Sequence, residues 1–169
     1  MTMFDEYSLA GLRVLAGMLL LPVVIGVQAQ LAQDDPDWKE TEAPSPPTFA
    51  SDKLLPLDMP PYVTLKVGID PDTLQITPDG IVRYVVVIKN ASGSVSALYE
   101  GLRCSKAEVK TYARHSGSGS WLTVKEPAWR SVYDNLPSKH AVAFARQAAC
   151  NGGASVAGSV ADIVRAMKK

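Results

Sequence analysis

The chain has 169 residues, 17 basic and 17 acidic side chains, and a 47% share of hydrophobic residues. That length holds one ordinary domain with extensions. Balanced charge without a Lys/Arg cluster argues against a nucleic-acid partner.

Val14 to Val27 is an uninterrupted apolar run with Arg13 just before it. It is shorter than the about 20 residues that a membrane span needs. Val27-Gln28-Ala29 then offers small or aliphatic residues where a signal peptidase reads them. Residues 1–29 are therefore expected to be a signal peptide cleaved after Ala29, giving a periplasmic product that meets the membrane only during export. An uncleaved membrane anchor is the competing reading, because Asp5 and Glu6 make the start of the segment acidic.

Residues 30–60 form an acidic, proline-rich arm with seven acids against Lys39 and Lys53, whereas residues 61–169 carry fourteen bases against eight acids. The arm either lies across the positive face of its own domain or is a solvated linker, and composition favours the linker. Pro44, Pro46 and Pro47 favour extended backbone. Trp38 is unusual in such a segment and is expected to dock on the domain.

From Tyr62 the pattern turns to strands. Residues 62–69 and 74–76 read as strands separated by the turn Asp70-Pro71-Asp72. Pro78-Asp79-Gly80 is a second turn, and residues 81–89 form the strongest strand. Its period of two puts Val82, Tyr84, Val86 and Ile88 on one face, with Arg83, Val85, Val87 and Lys89 on the other. Residues 90–94 suit a hairpin with a positive φ at Gly93. On the returning strand Leu98, Glu100, Leu102 and Cys104 share a face opposite Tyr99, Gly101 and Arg103. A charge on the Leu face requires an edge position or a partner, and Arg83 is the candidate if the register allows. A bend at Ser105, a strand over 107–113, a Gly/Ser loop at 115–120 and a short strand from Trp121 follow.

The last third changes period. Ser138 is placed to cap a helix running to about Cys150, with Gly152 just beyond its end. Ser159 and Asp162 form a capping-box-like pair for a second helix, with Val160, Ile163, Val164 and Met167 as its buried stripe. Strands first and helices last predict an α+β fold, an antiparallel sheet with one or two C-terminal helices packed on one face.

Cys104 and Cys150 are the only cysteines, and in an oxidising compartment they are expected to pair. A nucleophilic Cys104 needs a base nearby, and neither spacing nor context attaches His115 or His140 to it. No metal or cofactor is expected, since the two histidines stand alone and Asp70-Pro71-Asp72 lacks the glycine and glutamate of a calcium loop. Ser131, Asp134 and His140 lack the nucleophile elbow of a hydrolase. Trp121 and Trp129, near Arg130 and Tyr133, are candidate aromatic anchors, with a core role as the alternative.

These pieces together resemble the cryptic neisserial protein-like family of small exported proteobacterial proteins. The matching residues are Asp79-Gly80-Ile81-Val82-Arg83-Tyr84, Ser92-Gly93, Tyr99-Glu100-Gly101-Leu102-Arg103-Cys104, Lys110-Thr111-Tyr112-Ala113, Trp121, Trp129 and Cys150. Trp38-Lys39-Glu40 and the proline-rich arm resemble its start, so the likeness spans roughly 38–150; residues 151–158 and the last helix are less typical of it. The family carries no established activity, so the resemblance implies an exported envelope protein and supplies no catalytic residue. The expected function is a non-enzymatic binding or interaction module using Arg83, Tyr99 and Arg103, with an unidentified envelope protein or ligand as partner. In a bland alternative Arg83 and Arg103 are buried against Glu100 as a fold-determining ion pair. A periplasmic enzyme acting on cell-wall or lipid material, with Glu100 as general acid or base, is the other alternative.

Overall fold

The computed structural model describes residues 37–117, 119–134, 138–152 and 155–169. The expected signal peptide and its cleavage site lie outside them. An extended arm, residues 37–54, leads into β1 (Leu55–Pro56), β2 (Lys66–Ile69), a 3-10 turn (Pro71–Thr73) and β3 (Gln75–Ile76). Three long strands follow: β4 (Ile81–Lys89), β5 (Val95–Arg103) and, after a 3-10 turn at Cys104–Lys106, β6 (Glu108–Ser116). Then come β7 (Trp121–Thr123), β8 (Arg130–Ser131), α1 (His140–Phe144), a π-helical turn (Ala145–Ala149), the hairpin β9 (Cys150–Asn151) and β10 (Ser155–Val156), and α2 (Val160–Met167).

Strands β1 to β8 form one antiparallel sheet in the order β1-β2-β4-β5-β6-β7, with β3 extending the β4 edge and β8 the β6 edge. The fold is the expected α+β arrangement. The Asp70-Pro71-Asp72 turn interrupts the β4 edge without leaving its ladder open. There Asp70 N donates to Val85 O at 3.1 Å, and the Thr73 hydroxyl accepts from Val85 N at 2.9 Å. Gly80 and Gly93 supply the positive φ that their turns require, at 78° and 82°.

Both faces of the sheet carry a covering layer, and the helical layer spans only part of its face. One carries the helices over Val82, Tyr84, Val86 and Leu102, with Phe144, Ala149 and Ile163 buried against them. The other buries Val85, Val87, Ala97, Tyr99 and Ala113 beneath Ala43, Phe49 and Leu54 of the arm. The solvated linker that composition favours is thus a docked strap. Fixed φ at its prolines lowers the entropy lost on docking, and the apolar face beneath it would otherwise meet water.

The C-terminal helices differ in how they start. Ser159 caps α2 as expected, accepting from Asp162 N at 3.1 Å. The cap position of α1 is instead Lys139, without a side-chain cap bond, because the Ser138 hydroxyl is engaged with the His140 ring at 2.6 Å. Cys104 and Cys150 form a disulfide, with Cα atoms 5.6 Å apart. It joins the corner between β5 and β6 to the end of the π-helical turn.

Candidate functional site

The hairpin β4–β5 sorts the expected site residues onto opposite faces. Its register sets Gly101 opposite Arg83 and Glu100 opposite Tyr84, so Arg83 cannot meet Glu100 through the sheet. Neither arginine is paired with that carboxylate. Arg83, 2% exposed, lies under the arm and donates to Thr41 O and to Glu42 O, with Asp79 at 3.9 Å. Arg103 stacks on the Trp38 ring, 3.6 Å from its centroid, and lies 4.0 Å from Glu108. Tyr99 is buried against Tyr112, their centroids 5.3 Å apart. The face expected to receive a partner is therefore occupied by the chain's own residues 38–51.

Aromatic and charged side chains fasten that arm. Trp38 Nε1 donates to Asp79 O at 2.8 Å, and its ring meets Trp129 edge-on at 6.3 Å. Glu40 accepts from Lys110 at 2.6 Å, from the Tyr112 hydroxyl at 2.8 Å and from Trp129 Nε1 at 3.1 Å. Trp121 Nε1 donates to Pro47 O at 3.0 Å. The two tryptophans thus hold the arm; neither fills the sheet–helix core. Burial, followed by the Glu40 carboxylate, holds the Tyr112 hydroxyl well above its ordinary pKa.

Tyr112 reaches Glu40 because of two local features. Between Tyr99/Ala113 and Glu100/Thr111 the β5–β6 register shifts; Tyr112 is the extra residue of the bulge and joins Ala113 on the arm face. Its ring then crosses β5 above Gly101, where a Cβ would strike the Tyr112 hydroxyl and approach Ile81 Cγ2 to 2.9 Å. We expect Gly101→Ala to displace Tyr112 from Glu40 and to cost about 1–3 kcal/mol, as overpacking does. Urea denaturation checks the cost. Unchanged stability would mean that Tyr112 is not held in this place.

Glu100 faces the helices, and its partner is His140, a residue that sequence reasoning left alone. His140 Nε2 lies 2.7 Å from Glu100 Oε2, the Tyr84 hydroxyl donates to the same oxygen at 3.0 Å, and Thr111 donates to Oε1 at 2.9 Å. Burial by itself raises a carboxyl pKa, but the His140 charge and these hydrogen bonds outweigh it and hold Glu100 below its ordinary range. Burial likewise lowers an imidazole pKa, and the Glu100 charge outweighs it, so His140 is raised. Both shifts favour the imidazolium–carboxylate form of the pair. Nothing in the spacing of 40 residues signals it; the one hint was a carboxylate on a leucine face.

Beside this cluster the sheet is bare. Nine-residue strands β4, β5 and β6 extend about 30 Å at roughly 3.3 Å per residue. The helical segments of ten and eight residues reach only about 15 and 12 Å. They cover the end at Val82 and Leu102. Over the other end lies an open cleft of about 750 Å³, with Glu100, Thr111, Ser138 and His140 at its inner end. Ile88, Leu98 and Leu122 line its floor and walls together with Leu65, Val124 and Pro127. Arg114 and Arg130 line it too, and both are exposed. Sequence reasoning named Arg130 only beside the tryptophans and did not single out Arg114, since their place in the cleft follows from the helices' length and not from a motif.

Among the described residues no group of three His, Cys, Asp or Glu side chains is placed to hold a metal ion, and no helix is long and apolar enough to cross a membrane. No curated protein and no solved structure matches the chain. A model of the CNP1-like family matches residues 33–168. The match takes in the strap, both faces of the sheet and α2, beyond the stretch from 38 to 150 that the residue-level likeness covers. The chain belongs to the CNP1-like family.

Proposed function

We propose that this protein is exported to the cell envelope and acts there as a non-enzymatic binding module, with the cleft beside Glu100 and Arg114 as its ligand site. Support for export comes from the apolar run Val14 to Val27 ahead of Ala29, and from a disulfide of the kind that persists in oxidising compartments. The cleft carries the binding reading. Its volume, about 750 Å³, lies within the range of small-molecule sites, and its lining mixes apolar side chains with polar and charged ones.

Catalysis by Glu100 has less support. Both of its oxygens already accept hydrogen bonds from Thr111, Tyr84 and His140, and a carboxyl held below its ordinary pKa is a poor general acid. Ser138, His140 and Glu100 do lie in a chain of contacts. In the imidazolium form, which the Glu100 charge favours, His140 donates to Ser138 and cannot take its proton.

Native mass spectrometry of the protein from the envelope fraction tests this reading. The expected species begins at Gln30, is two hydrogens lighter before reduction, and carries a small molecule that Ser96→Trp, which fills the cleft, removes. A chain retaining residues 1–29 would instead indicate an uncleaved anchor. An adduct that survives Ser96→Trp would place binding elsewhere.

A further inference from the structure

Resting on the cleft reading above, the geometry points to a ligand class: a single-chain anionic amphiphile, with its alkyl chain on the apolar floor and its headgroup on Arg114. Three observations carry this. The first is the floor itself. It is the face of a sheet, and the backbone N–H and C=O groups beneath it are consumed in the ladders joining β4, β5, β6 and β7. A peptide laid there would leave its own backbone groups without partners, at a cost in free energy. An alkyl chain has none to satisfy.

The second is the cross-strand row Leu98–Arg114–Leu122, a cation flanked by two leucines on neighbouring strands. Leu122 is 65% exposed, although it sits beside other apolar side chains, so the strip gains by being covered. The third is charge. Among the described residues Arg114 and Arg130 form no ion pair or side-chain hydrogen bond, whereas Lys110, Arg103 and Arg83 are engaged with the arm or its neighbours. Of the two acids on the cleft wall, Glu100 is buried and engaged by Tyr84, Thr111 and His140, which leaves Glu126 as the one exposed acid beside two exposed arginines. The exposed charge of the cleft is therefore net cationic. A guanidinium pairs with a carboxylate or phosphate through two parallel hydrogen bonds, and Arg130 adds to the attraction from the wall.

The probes are decanoate and decyltrimethylammonium below their micelle concentrations and decanol below its solubility limit, followed by ¹H–¹⁵N NMR on the disulfide-bonded chain. Decanoate is expected to shift the amides of Leu98, Arg114 and Leu122 saturably, and Arg114→Gln is expected to weaken it about tenfold while leaving decanol unaffected. Equal binding of decanol or decyltrimethylammonium in the same place, or no effect of Arg114→Gln, would overturn the anionic assignment and leave the cleft as a binding site. Absence of cleft shifts with all three probes would overturn the amphiphile. The native adduct and its loss in Ser96→Trp would then judge the binding reading independently.

Discussion

Glu100→Ala is expected to destabilise the protein by about 3–5 kcal/mol near pH 6, the range for removing one partner of a buried ion pair. The residue is 2% exposed, and its loss leaves three donors, Tyr84, Thr111 and His140, without their acceptor. Two of them cannot change protonation to escape the cost. His140 can, since without the carboxylate burial alone acts on it and favours the neutral ring. The loss should therefore be smaller at pH 8 than at pH 6. A double-mutant cycle with His140→Ala should return a coupling of at least about 1.5 kcal/mol. Additive losses would show that the two side chains do not interact as the geometry requires.

The same pair sets the pH dependence of the parent protein. Glu100 is held below its ordinary 4.5, so its contribution is complete above that pH and is lost as pH falls through the lowered value. His140 is held above its ordinary 6.5, so its contribution is complete below that pH and fades as pH rises through the raised value. The pair thus contributes most between pH 4.5 and 6.5. Both limits describe one interaction seen from its two ends and are not summed. Urea midpoints across pH 3.5–9 should show this dome, and Glu100→Gln should flatten it. An unaltered profile in Glu100→Gln would assign the dome to other groups.

Removing the disulfide is the second large effect. Cys104 and Cys150 are 46 residues apart, and opening a loop of that size costs about 4 kcal/mol in the chain-entropy model. Against the roughly 5–15 kcal/mol that stabilises an ordinary domain, this is a large fraction. The loss has a direction as well as a size. The π-helical turn and the β9–β10 hairpin are tied to the β5–β6 corner through this bond, so the helical layer should loosen before the strap side does. Hydrogen exchange of Cys104→Ala/Cys150→Ala is expected to show lost protection at Phe144 and Ala149 while Val85 and Ala113 keep theirs. Equal loss on both faces would mean that the bond acts only through the unfolded chain.

The run Tyr99-Glu100-Gly101-Leu102-Arg103-Cys104 shows what a strand motif can hide. Read along the chain it looks like one surface carrying an acid and a base. In the folded protein it alternates: Tyr99, Gly101 and Arg103 serve the strap, while Glu100, Leu102 and Cys104 serve the helical layer. The six residues make packing and polar contacts on both sides of one strand. The candidate ligand site lies beside them, where the helices end.

Local chemistry accounts for what the amino-acid sequence determined by itself. The two-residue period of β4 and β5, the glycines whose turns need positive φ, the Ser159–Asp162 cap and the pairing of two lone cysteines all depend on neighbours in the chain or on composition. Only the tertiary structure decided which groups fill the non-local gaps. Nη1 and Nη2 of Arg83 donate to the carbonyl oxygens of Glu42 and Thr41, groups that every residue possesses and no pattern advertises. Glu100 found its counter-charge on a helix 40 residues away, and the cleft exists because two short helices cannot span a sheet of nine-residue strands.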